Sequence, residues 1–77
     1  MVKPTRVTNA IRSLRFAHGE MTQAELADRV GVTRQTIIAI EQGRYSPSLE
    51  MAFHIARVFN VPLDDVFQFP HGEGETP

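Results

Sequence analysis

The chain has 77 residues, no cysteine and a formal net charge of −1 at pH 7. This length is enough for one domain but not for two, and it buries only a modest core. Without cysteine there can be no disulfide and no thiolate metal site, and the composition suits the reducing cytosol, where we expect the protein. No apolar run resembles a signal peptide or is long enough to span a membrane, so we expect no membrane partner.

The charged residues are distributed unevenly along the chain. Residues 1–46 contain seven basic residues (Lys and Arg) and four acidic residues (Asp and Glu), whereas residues 47–77 contain one basic and five acidic residues. Net charge alone gives no indication of nucleic-acid binding, but this asymmetry is typical of a cationic binding face and an acidic rear. With counts this small, a chance distribution is an equal alternative.

Apolar residues recur at helical spacing along most of the chain, and no strand-like alternation persists. The first helix is predicted from about Thr5 to Ala17, and His18–Gly19 ends it. Its inward face consists of Val7, Ala10, Ile11 and Leu14. Thr22, followed three residues later by Glu25, predicts a capping box in which hydroxyl and carboxylate each accept a backbone N–H. A second helix therefore begins there, and Gly31 is predicted to end it.

A tight turn joins the second helix to a third helix, which Thr33 caps and which runs to about Gln42. Gly31 can adopt the left-handed conformation that a sharp turn often needs. The apolar residues of the two helices can form one shared cluster, which consists of Leu26, Val30, Val32, Ile37 and Ile40. Their burial turns the other positions of the third helix outward together, which is the geometry of a helix-turn-helix.

A fourth helix is predicted over Leu49–Phe59, and either Ser46 or Ser48 could cap it. This helix is apolar on two sides, whereas a lone surface helix needs only one apolar stripe. The pattern therefore indicates a central position among several helices, or alternatively a share in a dimer interface.

A short fifth helix is predicted to open at Pro62, with Asp64 and Asp65 suited to the positive end of the helix dipole. The last segment, Pro70–Pro77, is rich in Gly, Pro and Glu and is predicted to be a disordered tail. The fold class is thus predicted as all-α, with residues 1–69 forming a compact domain of five helices.

Two segments of the chain resemble a known family. They are LRFAHGEMTQAELADRVGVTRQTIIAIEQGRYSPSL and MAFHIARVFNVPLDDVF, and together they cover nearly the whole chain between Arg6 and Phe67. Small, turn, apolar and capping residues all fall in register with the XRE-type family, the phage-repressor-like helix-turn-helix regulators of bacteria and their phages. The resemblance implies a sequence-specific transcriptional regulator whose partner is double-stranded DNA. A repressor is expected, because a protein that occupies a promoter blocks RNA polymerase, although no residue decides between repression and activation.

In such proteins the third helix lies in the major groove of DNA, with its first side chains against base edges. The resemblance therefore implies that four residues contact bases: Arg34, Gln35, Ile38 and Ala39. Arginine can donate two hydrogen bonds to guanine, and glutamine can pair in the same way with adenine. Ile38 and Ala39 cannot hydrogen-bond but can contact a thymine methyl, so recognition is expected to rely more on DNA shape than in relatives with polar groups there.

Phosphate contacts are expected from the ends of the motif, and they fix register without specifying sequence. The candidates are Gln23, which resembles a family phosphate-binding glutamine, and Thr33, Thr36, Gln42 and Arg44. Lys3 and Arg6 could add a weaker N-terminal arm. Arg15 and Glu41 resemble the ion pair that links the first and third helices in the family, and they are expected to hold the fold.

A homodimer is expected, because two copies would place their third helices in successive major grooves of a roughly palindromic operator. The candidate dimer surface consists of apolar residues near the C-terminus: Leu63, Val66, Phe67 and Phe69. The alternative is that these side chains cover the core of their own chain.

Catalysis has little support in the sequence. Three histidines, at His18, His54 and His71, are scattered, and no spacing indicates a zinc site, a phosphate loop or a nucleophile elbow. We therefore expect no enzyme activity, no metal and no cofactor. The alternatives to a DNA-binding regulator are an antitoxin-like module that binds a protein partner and a helical adaptor that has lost DNA binding.

Overall fold

The computed structural model describes residues 6–44 and 46–69. The elements in chain order are β1 (Thr8–Asn9), α1 (Ile11–Ala17), α2 (Gln23–Val30), α3 (Arg34–Glu41), α4 (Leu49–Phe59), α5 (Leu63–Val66) and β2 (Phe67–Gln68). The five helices confirm the predicted all-α repressor-like architecture. The predicted disordered tail and Lys3 lie outside the described residues. Within those residues, no helix is both long enough and apolar enough to cross a membrane.

The start of the first helix differs from the prediction. The helix was expected from about Thr5, but the chain is extended at Thr8–Asn9 and α1 begins only at Ile11. The short strand β1 pairs antiparallel with β2, with Thr8 opposite Gln68. This ribbon also contradicts the expectation that the chain holds no strand.

The ribbon satisfies backbone groups that a longer first helix would have used. The N–H of Ala10 donates to the carbonyl of Val66 (2.9 Å). The side chain of Asn9 accepts a hydrogen bond from the N–H of Ile11 (3.1 Å) and donates one to the carbonyl of Ile40 (3.0 Å). Asn9 therefore connects the first turn of α1 with the last turn of α3.

Local capping signals are found where the sequence predicted them. Thr22 and Glu25 form the capping box, with Glu25 N–H donating to Thr22 Oγ1 (3.0 Å) and Thr22 N–H donating to Glu25 Oε1 (3.2 Å). Gly31 ends α2 in the left-handed conformation (φ 77°). Of the two serines that could cap α4, Ser48 does so, because its Oγ accepts the N–H of Met51 (3.1 Å).

Thr22→Ala should lower the free energy of unfolding by about 1 kcal/mol, because the N–H of Glu25 loses its acceptor at the start of α2. Denaturant unfolding followed by circular dichroism would measure this change. Thr22→Ser is the matched control, since it keeps the hydroxyl, and it should stay within a few tenths of a kcal/mol of the wild type. Equal stability of the Ala and Ser variants would contradict a stabilising role for this cap.

The core is formed by apolar residues of all five helices. Its largest fully buried side chains are Ile11, Leu26, Ile37, Ile40, Ile55, Phe59 and Val66. The helix α4 is central, as one of the two predicted alternatives had it, because it contributes Ala52, Ile55, Ala56 and Phe59 to the buried set. Two of its other apolar side chains, Leu49 and Phe53, remain exposed, whereas Met51 and Val58 are partly buried against the core.

The residues that were expected at a dimer surface do not share one environment. Val66 has no exposed surface and belongs to the core, so its inclusion in a dimer surface was wrong. Leu63 and Phe67 are half-buried against the same core. Phe69 is 60% exposed. The alternative reading, in which these residues cover the core of their own chain, therefore holds for Val66.

Candidate nucleic-acid interface

The turn between α2 and α3 fixes the direction of α3. At Gly31 the chain leaves α2 in the left-handed conformation, and the N–H of Val32 donates to the carbonyl of Ala27 (3.0 Å). Thr33 then caps α3, because its Oγ1 accepts the N–H of Thr36 (3.2 Å). Buried Ile37 and Ile40 hold the inner face of α3 against the core. The opposite face of α3 is therefore held at the molecular surface.

Two polar residues occupy the first turn of α3. Arg34 and Gln35 are both exposed, and neither side chain forms a hydrogen bond or ion pair with another residue of the described ranges. Ile38 and Ala39, one turn further on, are half-buried. The most accessible hydrogen-bonding groups of α3 are thus at its N-terminal end, and apolar surface follows them.

The expected phosphate-contacting residues are less free than those of the first turn of α3. Gln23 Nε2 lies 3.3 Å from Glu41 Oε1, to which it donates. The hydroxyls of Thr33 and Thr36 lie 3.1 Å apart and share a hydrogen bond. In the loop after α3, Arg44 Nε donates to Gln42 Oε1 (2.9 Å). Contacts with a ligand would share or replace these internal bonds.

An ion pair lies beneath this surface and joins α1 to α3. Arg15 Nε is 2.7 Å from Glu41 Oε2, and Arg15 Nη2 is 3.1 Å from Glu41 Oε1, so the two groups meet in a fork. Arg15 Nη1 also donates to the carbonyl of Met21 (2.8 Å). Both side chains are about nine-tenths buried. The pair is therefore part of the support of the surface rather than of the exposed surface itself.

An open groove of about 780 Å³ lies beside α3, between α1 and the start of α2. Of the residues that the sequence assigned to DNA contact, the groove brings together Gln23, Arg34 and Gln42. Thr33, Thr36 and Arg44 do not line it, nor do Gln35, Ile38 and Ala39.

The groove also includes a cation that the sequence analysis did not single out. Arg12, on the exposed side of α1, lines the groove together with Phe16. Its guanidinium carbon is 5.7 Å from the centroid of the Phe16 ring. One sequence feature could have indicated this contact: Arg12 and Phe16 are spaced i, i+4, which places both on one helix face. That spacing does not reveal which other helices the face adjoins.

Metal binding has no support in the described part of the chain. Within residues 6–44 and 46–69, no three side chains among His, Cys, Asp and Glu are close enough together to hold a metal ion. The chemistry of the described surface is instead that of hydrogen-bond donors, arginine cations and apolar contacts.

Comparisons with known proteins agree with this architecture. A family model described as helix-turn-helix matches residues 11–66. An uncharacterized HTH-type transcriptional regulator of Archaeoglobus fulgidus is 57% identical over 53 residues, which span 69% of this chain and 75% of that protein. The cryptic phage CTXphi transcriptional repressor RstR of Vibrio cholerae is 34% identical over 59 residues, or 77% of this chain and 52% of the repressor.

A solved structure shares the fold. The crystal structure of a Bacteroides fragilis protein described as DNA-binding superimposes with a TM-score of 0.70 at 26% sequence identity. The similarity covers 80% of this chain and 98% of that one. The match therefore extends beyond the two helices of the motif to most of the domain.

Proposed function

The chain belongs to the XRE-type helix-turn-helix family, and from this membership we propose that it is a sequence-specific DNA-binding transcriptional regulator. In this proposal α3 enters the major groove, and its exposed first turn contacts base edges. The protein acts as a repressor and binds a palindromic operator as a homodimer.

One observation carries the proposal more than any other. Arg34 and Gln35 are exposed and unpaired among the described residues, at the N-terminal end of a helix held outward by its turn. A guanidinium can donate two hydrogen bonds to guanine, and a carboxamide can exchange two with adenine. Ile38 and Ala39 supply apolar surface for thymine methyl groups.

Repression is supported by similarity and by a simple mechanism. The phage relative from Vibrio cholerae is a transcriptional repressor. A small domain that occupies a promoter blocks RNA polymerase by steric exclusion, and it needs no further activity for this effect. Gln23, Thr33, Thr36, Gln42 and Arg44 would hold the domain in register through backbone phosphates.

The homodimer follows from the symmetry of a palindromic operator, whose half-sites lie about 34 Å apart when they are one helical turn apart. The proposed dimer surface keeps Leu63, Phe67 and Phe69 from the sequence prediction. Leu63 and Phe67 also line an apolar groove of about 270 Å³ with Pro47 and Leu49. Exposed Phe69 and Leu49 supply apolar surface that a second copy can cover.

Selection of bound duplexes from a random DNA library, at a stated salt concentration, should recover an inverted repeat with half-sites about one helical turn apart. The affinity for that sequence should fall as salt rises, because phosphate contacts release counterions. A folded protein that recovers no motif would contradict the proposal and favour the alternative of a protein-binding module. Recovery of a single half-site, with a monomer in sedimentation on that duplex, would contradict only the dimer.

A further inference from the structure

The groove between α1, α2 and α3 carries more positive charge than the assigned DNA contacts account for. Its charged lining residues are Arg12, Arg15, Arg34 and Glu41. Arg15 and Glu41 offset each other in their ion pair. The groove therefore retains the two guanidinium charges of Arg12 and Arg34, and among its described lining residues no further acid opposes them.

Arg12 is held at the rim of the groove rather than left free in solvent. Its guanidinium lies 5.7 Å from the centroid of the Phe16 ring, within the range of a cation–π contact. The guanidinium of Arg15 lies 5.6 Å from the same centroid. Phe16 is 51% exposed, so its ring forms an accessible edge of the groove beside Arg12. This contact restricts the rotamers of Arg12 while leaving its N–H groups available to a ligand.

We propose that this groove binds the sugar-phosphate backbone of the bound DNA and that Arg12 donates to one of its phosphates from α1. The inference rests on the proposed function, and it adds a contact from a helix outside the two helices of the motif. Neutral donors on the facing elements, Gln23 and Gln42, line the same groove and complete a polar cradle.

The position of Arg12 favours a phosphate over a base. The proposed base contacts come from α3, whereas Arg12 belongs to α1 and lines the groove together with Arg34 of α3. The groove is open, most of its lining residues are polar or charged, and its two uncompensated cations come from different helices. An extended anionic strand fits this arrangement, because arginine binds phosphate oxygens through charge-assisted hydrogen bonds.

The test compares the salt dependence of binding to the selected duplex for the wild type, Arg12→Gln, Arg12→Lys and Arg57→Gln. Arg57 is a matched control, because it is exposed and α4 contributes none of the described lining residues of the groove. Circular dichroism and thermal unfolding establish that each variant is folded. Arg12→Lys keeps the charge and so separates a phosphate contact from packing against Phe16.

In Arg12→Gln, the slope of log affinity against log salt should become shallower by about 0.9, the contribution of one phosphate. Between 50 and 200 mM salt this corresponds to about 3.5-fold less loss of affinity than in the wild type. The preferred sequence should not change. Arg12→Lys and Arg57→Gln should keep the slope of the wild type.

Several outcomes would overturn the inference. A wild type that binds its operator, with Arg12→Gln showing the same slope and affinity, would remove Arg12 from the interface while leaving the proposed function intact. An altered sequence preference in Arg12→Gln would assign the residue to a base instead. An equal change of the salt slope in Arg57→Gln would show that the effect comes from the net charge of the protein and not from a contact of Arg12. Absence of operator binding by the wild type would reject the proposed function itself.

Discussion

Glu41→Ala should lower the free energy of unfolding by about 3–5 kcal/mol, the range for removing one partner of a buried ion pair. The variant leaves the Arg15 guanidinium buried, and of its hydrogen bonds described above only the one to the carbonyl of Met21 remains. Small domains have a total stability of about 5–15 kcal/mol, so this single change removes a large part of it. Denaturant unfolding at neutral pH would measure the difference.

Two controls separate the ion pair from a general effect of losing an acid. Asp28→Ala removes an exposed carboxylate from α2 and should change stability by no more than about 0.5 kcal/mol. The double variant Arg15→Met with Glu41→Leu should recover much of the loss, because apolar residues of similar volume can replace a buried pair at little cost. If Glu41→Ala were as stable as Asp28→Ala, the pair would not support the fold.

The same pair connects stability with the proposed interface. Glu41 accepts from both Arg15 and Gln23, so one carboxylate holds side chains of α1 and α2 against the end of α3. The exposed face of α3 and the groove beside it rest on this network. A change at Glu41 is therefore expected to alter the placement of the proposed DNA-contacting groups indirectly, and a loss of DNA affinity in such a variant should not be interpreted as the loss of a contact between Glu41 and DNA.

Features decided by neighbouring residues could be predicted from the sequence. The capping box of Thr22 and Glu25, the left-handed Gly31 and the span of α4 each depend on a few adjacent side chains. Ser46 and Ser48 could each cap α4, and the local sequence did not decide between them. In the structure Ser48 is the cap, because its Oγ accepts the N–H of Met51.

Features decided by distant residues could not be predicted in this way. The ribbon pairs Thr8 with Gln68, and two-residue strands are too short to show alternation. The apolar spacing before α1 was therefore interpreted as helical. For Val66 the sequence left both a dimer surface and the core of its own chain open, because its burial depends on helices far away in the chain.

The candidate site contains residues of both kinds, some predictable from neighbouring residues and some dependent on distant ones. The exposure of Arg34 and Gln35 follows from the helical period of α3 and from its two buried isoleucines, so the sequence was sufficient to predict it. The place of Arg12 depends on how α1 approaches the beginnings of α2 and α3. No local sequence pattern predicts how these three helices pack together.

Replacing both Arg34 and Gln35 with alanine should weaken specific operator binding by about 2–6 kcal/mol, since each bidentate base contact contributes about 1–3 kcal/mol. This range corresponds to a loss in affinity of roughly 30-fold to more than 10⁴-fold. Helicity and the thermal midpoint should stay nearly unchanged, because both residues are exposed and alanine favours helices. Titration of the selected duplex and of an unrelated duplex of equal length would measure the effect.

The two duplexes make the result specific to base recognition. Loss of two base contacts reduces the preference for the operator. Loss of the Arg34 charge alone would instead lower the affinity for both duplexes to a similar degree. Arg57→Ala provides the charge-matched control on α4 and should preserve the preference. A folded double variant that keeps its preference for the operator would reject the assignment of these two residues to base contacts. Loss of the preference with an intact fold would place base recognition on the first turn of α3.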